Sequence, residues 1–243
     1  MKAEHENPVD ESFLANADPD PASASLDSTL TEDLALALLE GRDLATEAIE
    51  EVARNTGLMK SRKVRVAVAA HPHAPRRIAL RLIRELYNFD LMRFSLMPAV
   101  AADLKRLADE VLVSRLASIT LGERISFARR SSGLVATALL TDKEIRVWQA
   151  ALENPRVTEA AIVKALQRPN ATVAFVECIC HHAKWSLRPE IRMALLRNAH
   201  TPMARAIDFA RRIPPPLLRD ILHASRLPER IKKYLRKELP PRR

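Results

Sequence analysis

A helix–break–helix unit recurs along this chain, and it limits the possible folds more than any other feature of the sequence. VRVAVAAHPHAP (64–75), VWQAALENPRVT (147–158) and IRMALLRNAHTP (191–202) align without a gap. Ala67, Ala150 and Ala194 share one position, Arg65 meets Arg192, His73 meets His200 and Pro75 meets Pro202. ISFARRSSG (125–133) fits the frame more loosely, and LLRDILHASRLPERIKKYL (217–235) reads as a last copy. A second alignment lays ALENPRVTEAAIVKAL (151–166) over LLEGRDLATEAIEEVA (38–53), with Asn154-Pro155 on Gly41-Arg42. The break sits where it does because a residue before proline avoids the helical region. A proline near the start of the following helix loses no needed N–H. In the second helix Ala161, Ile162, Ala165 and Leu166 form one apolar stripe, as do Ile78, Leu82 and Leu86. One helix pair cannot cover its own stripe, so the copies must stack.

The composition agrees. Gly is only 4 of 243 residues and aromatics only 4%, which disfavours tight turns and sheets. The 16 prolines must then punctuate helices. Thr31 is a plausible N-cap for LTEDLALALLEG, with acids in the first turn and Gly41 at its end, and RDLATEAIEEVARN follows as a second helix. The stretch from Asn88 to Arg124 departs from the period and predicts an irregular or longer unit. The expected fold is all-α: a right-handed α-solenoid of short stacked helix pairs over residues 29–239. Residues 1–28 are expected to be a disordered acidic tail and residues 240–243 a basic C-terminal tail.

The unit resembles the leucine-rich repeat variant and HEAT-like α-solenoid families. The variant repeat runs approximately V-R-x-A-V-A-x-N-P-x-T-P before a Leu/Ala helix, and the three aligned segments echo it patchily within residues 30–235. The resemblance implies an interaction scaffold. One member of the variant family carries an iron–sulfur cluster on a separate cysteine-rich segment. This chain has 2 cysteines, so that feature is not carried over. HEAT-like DNA glycosylases use aromatic side chains and a carboxylate against the lesion, and no matching constellation is found.

Charge divides the chain. Residues 1–60 hold 14 Asp/Glu against 4 Lys/Arg, a net of −10; residues 61–243 hold 16 against 35, a net of +19. Such asymmetry points to an anionic partner or to a leader that screens the body, while the plain alternative is a solvated helical surface. Three basic clusters are candidates for an anionic partner. The first is Lys60, Arg62, Lys63 and Arg65, and the second is Arg77, Arg81 and Arg84 at helical spacing. The third is Arg230, Lys232, Lys233, Arg236 and Lys237. Such clusters can hold a phosphate backbone. Trp148, Trp185, Tyr87 and Tyr234 are too scattered to form a stacking platform for bases.

ECICHHAKW (177–185) gathers both cysteines and two histidines. On a helix Cys180 shares the apolar stripe with Val176, Ile179 and Ala183, whereas Cys178 points the other way with Ala174, His181, His182 and Trp185. The two thiols therefore can neither bridge nor bind one metal. Cys178 and His182 are half a zinc site at most, and no CxxC or HExxH supplies the rest. His71, His73 and His200 fall on the break and read as turn residues. Glycine-rich phosphate loops and nucleophile elbows are absent, and carboxylates such as Asp208, beside Arg211 and Arg212, read as surface ion pairs. No apolar run approaches the roughly 18 residues of a membrane span, and no secretory signal is evident. The expectation is a cytoplasmic, non-enzymatic scaffold, without metal or cofactor, that binds a protein partner through its repeat surface. The alternative is a nucleic-acid backbone binder using the basic surface, and the minor one a HEAT-like DNA glycosylase.

Overall fold

The computed structural model describes residues 31–41 and 43–238. Among them are fifteen α-helices, one 3-10 turn and no strand, so the chain is all-α. None of these helices is long and apolar enough to cross a membrane. The tails expected at 1–28 and 240–243 lie outside the described residues. The chain divides into two compact units. One runs up to Asp90 and includes Met97–Leu104; the other comprises Leu91–Leu96 and the chain from Lys105 onward.

The first unit holds α1 (Glu32–Glu40), α2 (Thr46–Arg54), a 3-10 turn (Leu58–Lys60), α3 (Arg62–Ala70) and α4 (Arg76–Glu85). Thr31 caps α1 by accepting from the Leu34 amide, and Glu32 and Asp33 occupy the positive first turn. Gly41 is the cap residue itself, at φ −69°, so no left-handed turn is used there. Helix α3 packs against α1, α2 and α4. Its Val64 and Val68 are fully buried, as are Ile49, Val52 and Ile83.

Helices α5 (Asn88–Leu96) and α6 (Ala102–Arg115) are divided between the units. At 14 residues α6 is the longest helix described, the longer element predicted where the period fails. The second unit continues with α7 (Leu121–Arg130), α8 (Gly133–Leu139), α9 (Ile145–Leu152), α10 (Glu159–Gln167) and α11 (Val173–His181). It ends with α12 (Pro189–Arg197), α13 (Met203–Ala210), α14 (Pro215–His223) and α15 (Glu229–Lys237). Here helices pack on the helix two further along the chain: α7 on α9, α10 on α12, α12 on α14 and α13 on α15. The stripes close as the pattern requires, with Ile162, Ala165 and Leu166 buried in α10. Trp148 of α9 meets Phe175 of α11 edge to face at 5.4 Å, a favourable aromatic geometry.

Proline acts mainly outside the helix. Pro75, Pro202, Pro214 and Pro228 occupy N-cap positions, and Pro189 and Pro215 open their helices. The break is more than a stop signal. A helix end leaves up to four carbonyls without partners, and here the helix two further along supplies donors. Asn154 donates its Nδ2 to the carbonyls of Ala128 (2.9 Å) and Ser131 (3.2 Å). Asn198 donates to Leu166 O (2.8 Å), Ser225 to Leu196 O (2.6 Å) and His71 to Gly41 O (2.9 Å). Each of these side chains also accepts the amide two residues on, from Arg156, His200, Leu227 and His73. For His71 this pattern fixes the proton on Nε2, because Nδ1 must accept. Asn, Ser and His are thus interchangeable here: each has an acceptor for its own turn and a donor for the neighbouring helix.

The same frame claims a segment that the alignments passed over. His182 ends α11, accepts the Lys184 amide on Nδ1 (3.2 Å) and turns Nε2 toward the Glu153 carboxylate (3.2 Å). ECICHH is therefore another copy of the unit, with His182 on the position of Asn154 and Asn198. The expectation that Trp185 shares an exposed face with Cys178 is corrected. Helix α11 stops at His181, so the helical projection does not reach Trp185. Its indole turns inward, is 3% exposed and donates to Leu152 O at 3.0 Å.

Candidate functional site

The nominated cations fall into clusters that carry their own counter-ions. Arg62 lays Nε and Nη2 on Asp90 Oδ2, at 3.0 and 2.9 Å, and stacks over the exposed Tyr87 ring at 4.4 Å. Arg65 reaches the same ring at 5.7 Å. Arg77 pairs with Glu50 at 2.9 Å, and Glu50 also holds Arg54. Arg81 lines the same shallow groove between α2 and α4, over Ala53, Met59 and Ile78. Lys60, Lys63 and Arg84 are exposed. On α15, Lys232 and Arg236 converge on Glu229, at 2.9 and 3.8 Å, and the Lys232 ammonium above all holds that carboxyl below its ordinary range. Arg230, Lys233 and Lys237 are exposed. Asp208 pairs with Arg205 and Arg212, and Arg211 takes no part in that pair.

ECICHH lies beside a groove of the second unit, with Arg129, Arg146, Gln149 and Glu153. Cys180 is fully buried, and burial pushes its thiol up to about 12. Burial, reinforced by the Glu153 charge, also raises Cys178. Both sulfurs are thus held away from the thiolate form that a nucleophile needs. Among the described residues no group of three or more His, Cys, Asp or Glu side chains is placed to hold a metal ion. His73 donates its Nδ1–H to Leu44 O (3.2 Å), consistent with its reading as a turn residue. Asp109 on α6 is a buried carboxyl, 7% exposed. Burial raises it, and the hydroxyls of Ser132 and Ser95 only partly oppose this.

A third groove, of about 340 Å³, was not nominated from the sequence. It lies where α10, α12 and α14 end, and Arg168, Arg197, Arg226 and His200 line it over small residues such as Ala171 and Ala194. No carboxylate and no Phe, Tyr or Trp contributes. Arg168 donates Nη1 to the Thr141 hydroxyl at 3.1 Å. None of the three arginines has an ion-pair partner among the described residues. The alignments did not find them because they occupy different places in the unit. Arg168 stands on the break, Arg197 one residue before it and Arg226 one residue after it. The break bonds from Asn198 and Ser225, and the Arg226 amide on Arg197 O (3.1 Å), hold the three segments together.

Exposed apolar residues also recur at one position along the chain. Ile145, Val173 and Met203 are the first residues of α9, α11 and α13, and they are 51%, 48% and 38% exposed. Short connections tie this row to the arginines: Arg168 precedes Val173 by one loop, and Arg197 precedes Met203 by the next. No family model matches the chain, and neither does any curated protein or solved structure.

Proposed function

We propose that this chain is a non-enzymatic helical-repeat scaffold that holds a protein partner on its repeat surface. In this reading the stacked pairs form a right-handed α-solenoid of the leucine-rich repeat variant or HEAT-like kind. The observation that carries the reading is the row Ile145, Val173 and Met203. A single exposed apolar residue is ordinary, but recurrence at the first position of alternate helices gives a surface with a period. Apolar side chains that recur beside arginines suit a protein interface, where a dry centre is flanked by cations.

The reading as a nucleic-acid backbone binder rests on the net +19 of residues 61–243. Against it, Arg62, Arg77, Lys232 and Arg236 already hold carboxylates, so a phosphate would have to displace them. The test is quantitative affinity capture by the full chain from its native source, compared with an Ile145→Asp/Val173→Asp/Met203→Asp variant. A specific partner is expected with the wild type and lost with the variant, at unchanged melting temperature because the three sites are exposed. Equal capture by both overturns the reading. So does sub-micromolar, steeply salt-dependent binding of a DNA or RNA duplex.

A further inference from the structure

We propose that the groove of Arg168, Arg197 and Arg226 takes an extended acidic peptide segment of the partner, with a carboxylate at about every third residue. This deepens the proposed function and rests on it. Three observations lead there. The arginines carry no carboxylate of their own, and none lines the groove. They project from the ends of α10, α12 and α14, of which α10 packs on α12 and α12 on α14. They are not single mobile charges on open helix faces, because the Asn198 and Ser225 bonds fix the backbone beneath them.

Spacing sets the ligand's form. Packed helices lie about 8–10 Å apart, so the arginines form a ladder with rungs of roughly that size. An extended chain rises about 3.3 Å per residue, so three residues cover one rung. Each guanidinium can then take one carboxylate in a two-pronged hydrogen bond.

Chemistry separates a peptide from a nucleic acid. The groove lies at helix C-termini, which carry partial negative charge. A peptide offers backbone N–H donors beside its carboxylates, whereas a phosphodiester backbone brings only acceptors. With no Phe, Tyr or Trp in the lining, the His200 imidazole is the one ring there on which a base could stack. The arginines also complement the helix ends electrostatically, and the experiment must exclude that as their whole role.

The probe is a fluorescein-labelled peptide in which Asp alternates with Leu-Ser pairs, beside a control of equal composition with its Asp residues contiguous. Both are titrated against the full-length protein by fluorescence anisotropy. The expected result is preference for the spaced peptide, a loss of roughly tenfold with Arg197→Gln, and no measurable binding with Arg168→Gln/Arg197→Gln/Arg226→Gln. An Arg197→Glu variant is expected to reverse the preference toward a peptide carrying Lys at the matching position, which a role confined to the helix ends would not produce. Binding within threefold of wild type in the triple variant overturns the proposal, as do equal affinity for both peptides or tighter binding of a single-stranded oligonucleotide of equal charge. A more than tenfold gain on deleting residues 1–28 also overturns it, by making the chain's own leader the occupant. The two readings fail separately. Partner capture that survives the triple variant sinks the arginine ladder alone, and a wild-type chain that captures no partner sinks the scaffold.

Discussion

Two places on this molecule gather arginine, and they differ in what faces it. At α3 and α4 the cations are dense in sequence, and the fold answers them with Asp90, Glu50 and the Tyr87 ring. At the ends of α10, α12 and α14 the arginines are 29 residues apart in sequence, and the fold brings them to one groove without a carboxylate. A run of positive residues along one helix must live with its neighbours, and selection of local ion pairs is the usual outcome. Residues delivered singly by successive units meet no such requirement. Density along the chain is therefore a poor guide to where unpaired cations gather in this molecule.

The comparison can be tested first at its foundation, the break residues. Asn154→Ala leaves two carbonyls and the Arg156 amide without partners in a fully buried place, so a loss of about 2–3 kcal/mol is expected in urea denaturation. His71→Asn preserves the donor and the acceptor and is expected to lose under about 1 kcal/mol. Equal losses would mean that the break bonds do not carry the stacking.

The next largest effect separates the two arginine sites directly. Arg197→Gln is expected to weaken the spaced acidic peptide roughly tenfold and Arg77→Gln less than twofold, because Arg77 is already committed to Glu50. Glu50→Gln then sharpens the contrast: it releases Arg77, leaves Arg54 to Glu51, and is expected to raise acidic-peptide affinity by about two- to threefold. No gain there would mean that pairing is not what silences the first site.

The smallest effect concerns a charge that the second unit buries without a cationic partner. Asp109 is raised above its ordinary 3.8 by burial, so the folded protein binds its proton more tightly than the unfolded chain does. Its contribution is then most favourable below 3.8 and declines as the pH rises through the folded value. Asp109→Asn is expected to flatten that part of the stability–pH profile and to raise the neutral-pH melting temperature by a few degrees at most. A steeper profile in the variant would contradict the assignment.

Much of the architecture was legible in the sequence. The alignment of residues 64–75, 147–158 and 191–202 identified helix pairs and their breaks, and the structure places helix ends at Ala70, Leu152 and Arg197. Cys180 reads correctly as core because its stripe contains Val176 and Ile179, both fully buried. Trp185 did not, because a helical projection assumes a helix, and the break at His182 ends it. That break was hidden by its residue type. Histidine beside cysteine suggests a metal, yet here it accepts the amide two residues on, as Asn154 does, while Trp185 takes the helix-end carbonyl of Leu152.

What the sequence by itself determined is the all-α composition, the punctuation of its helices and the need for those helices to share their apolar faces. These follow from nearest neighbours along the chain: helix propensity, proline's missing N–H and the period of the apolar stripe. Only the tertiary structure decided which charges meet. Arg168, Arg197 and Arg226 occupy three different offsets from the break, so the aligned helix–break–helix segments do not bring them together, although their spacing is a constant 29 residues. Long side chains from packed helices converge over several ångströms regardless of register, so a surface of this kind is set by how helix ends stack.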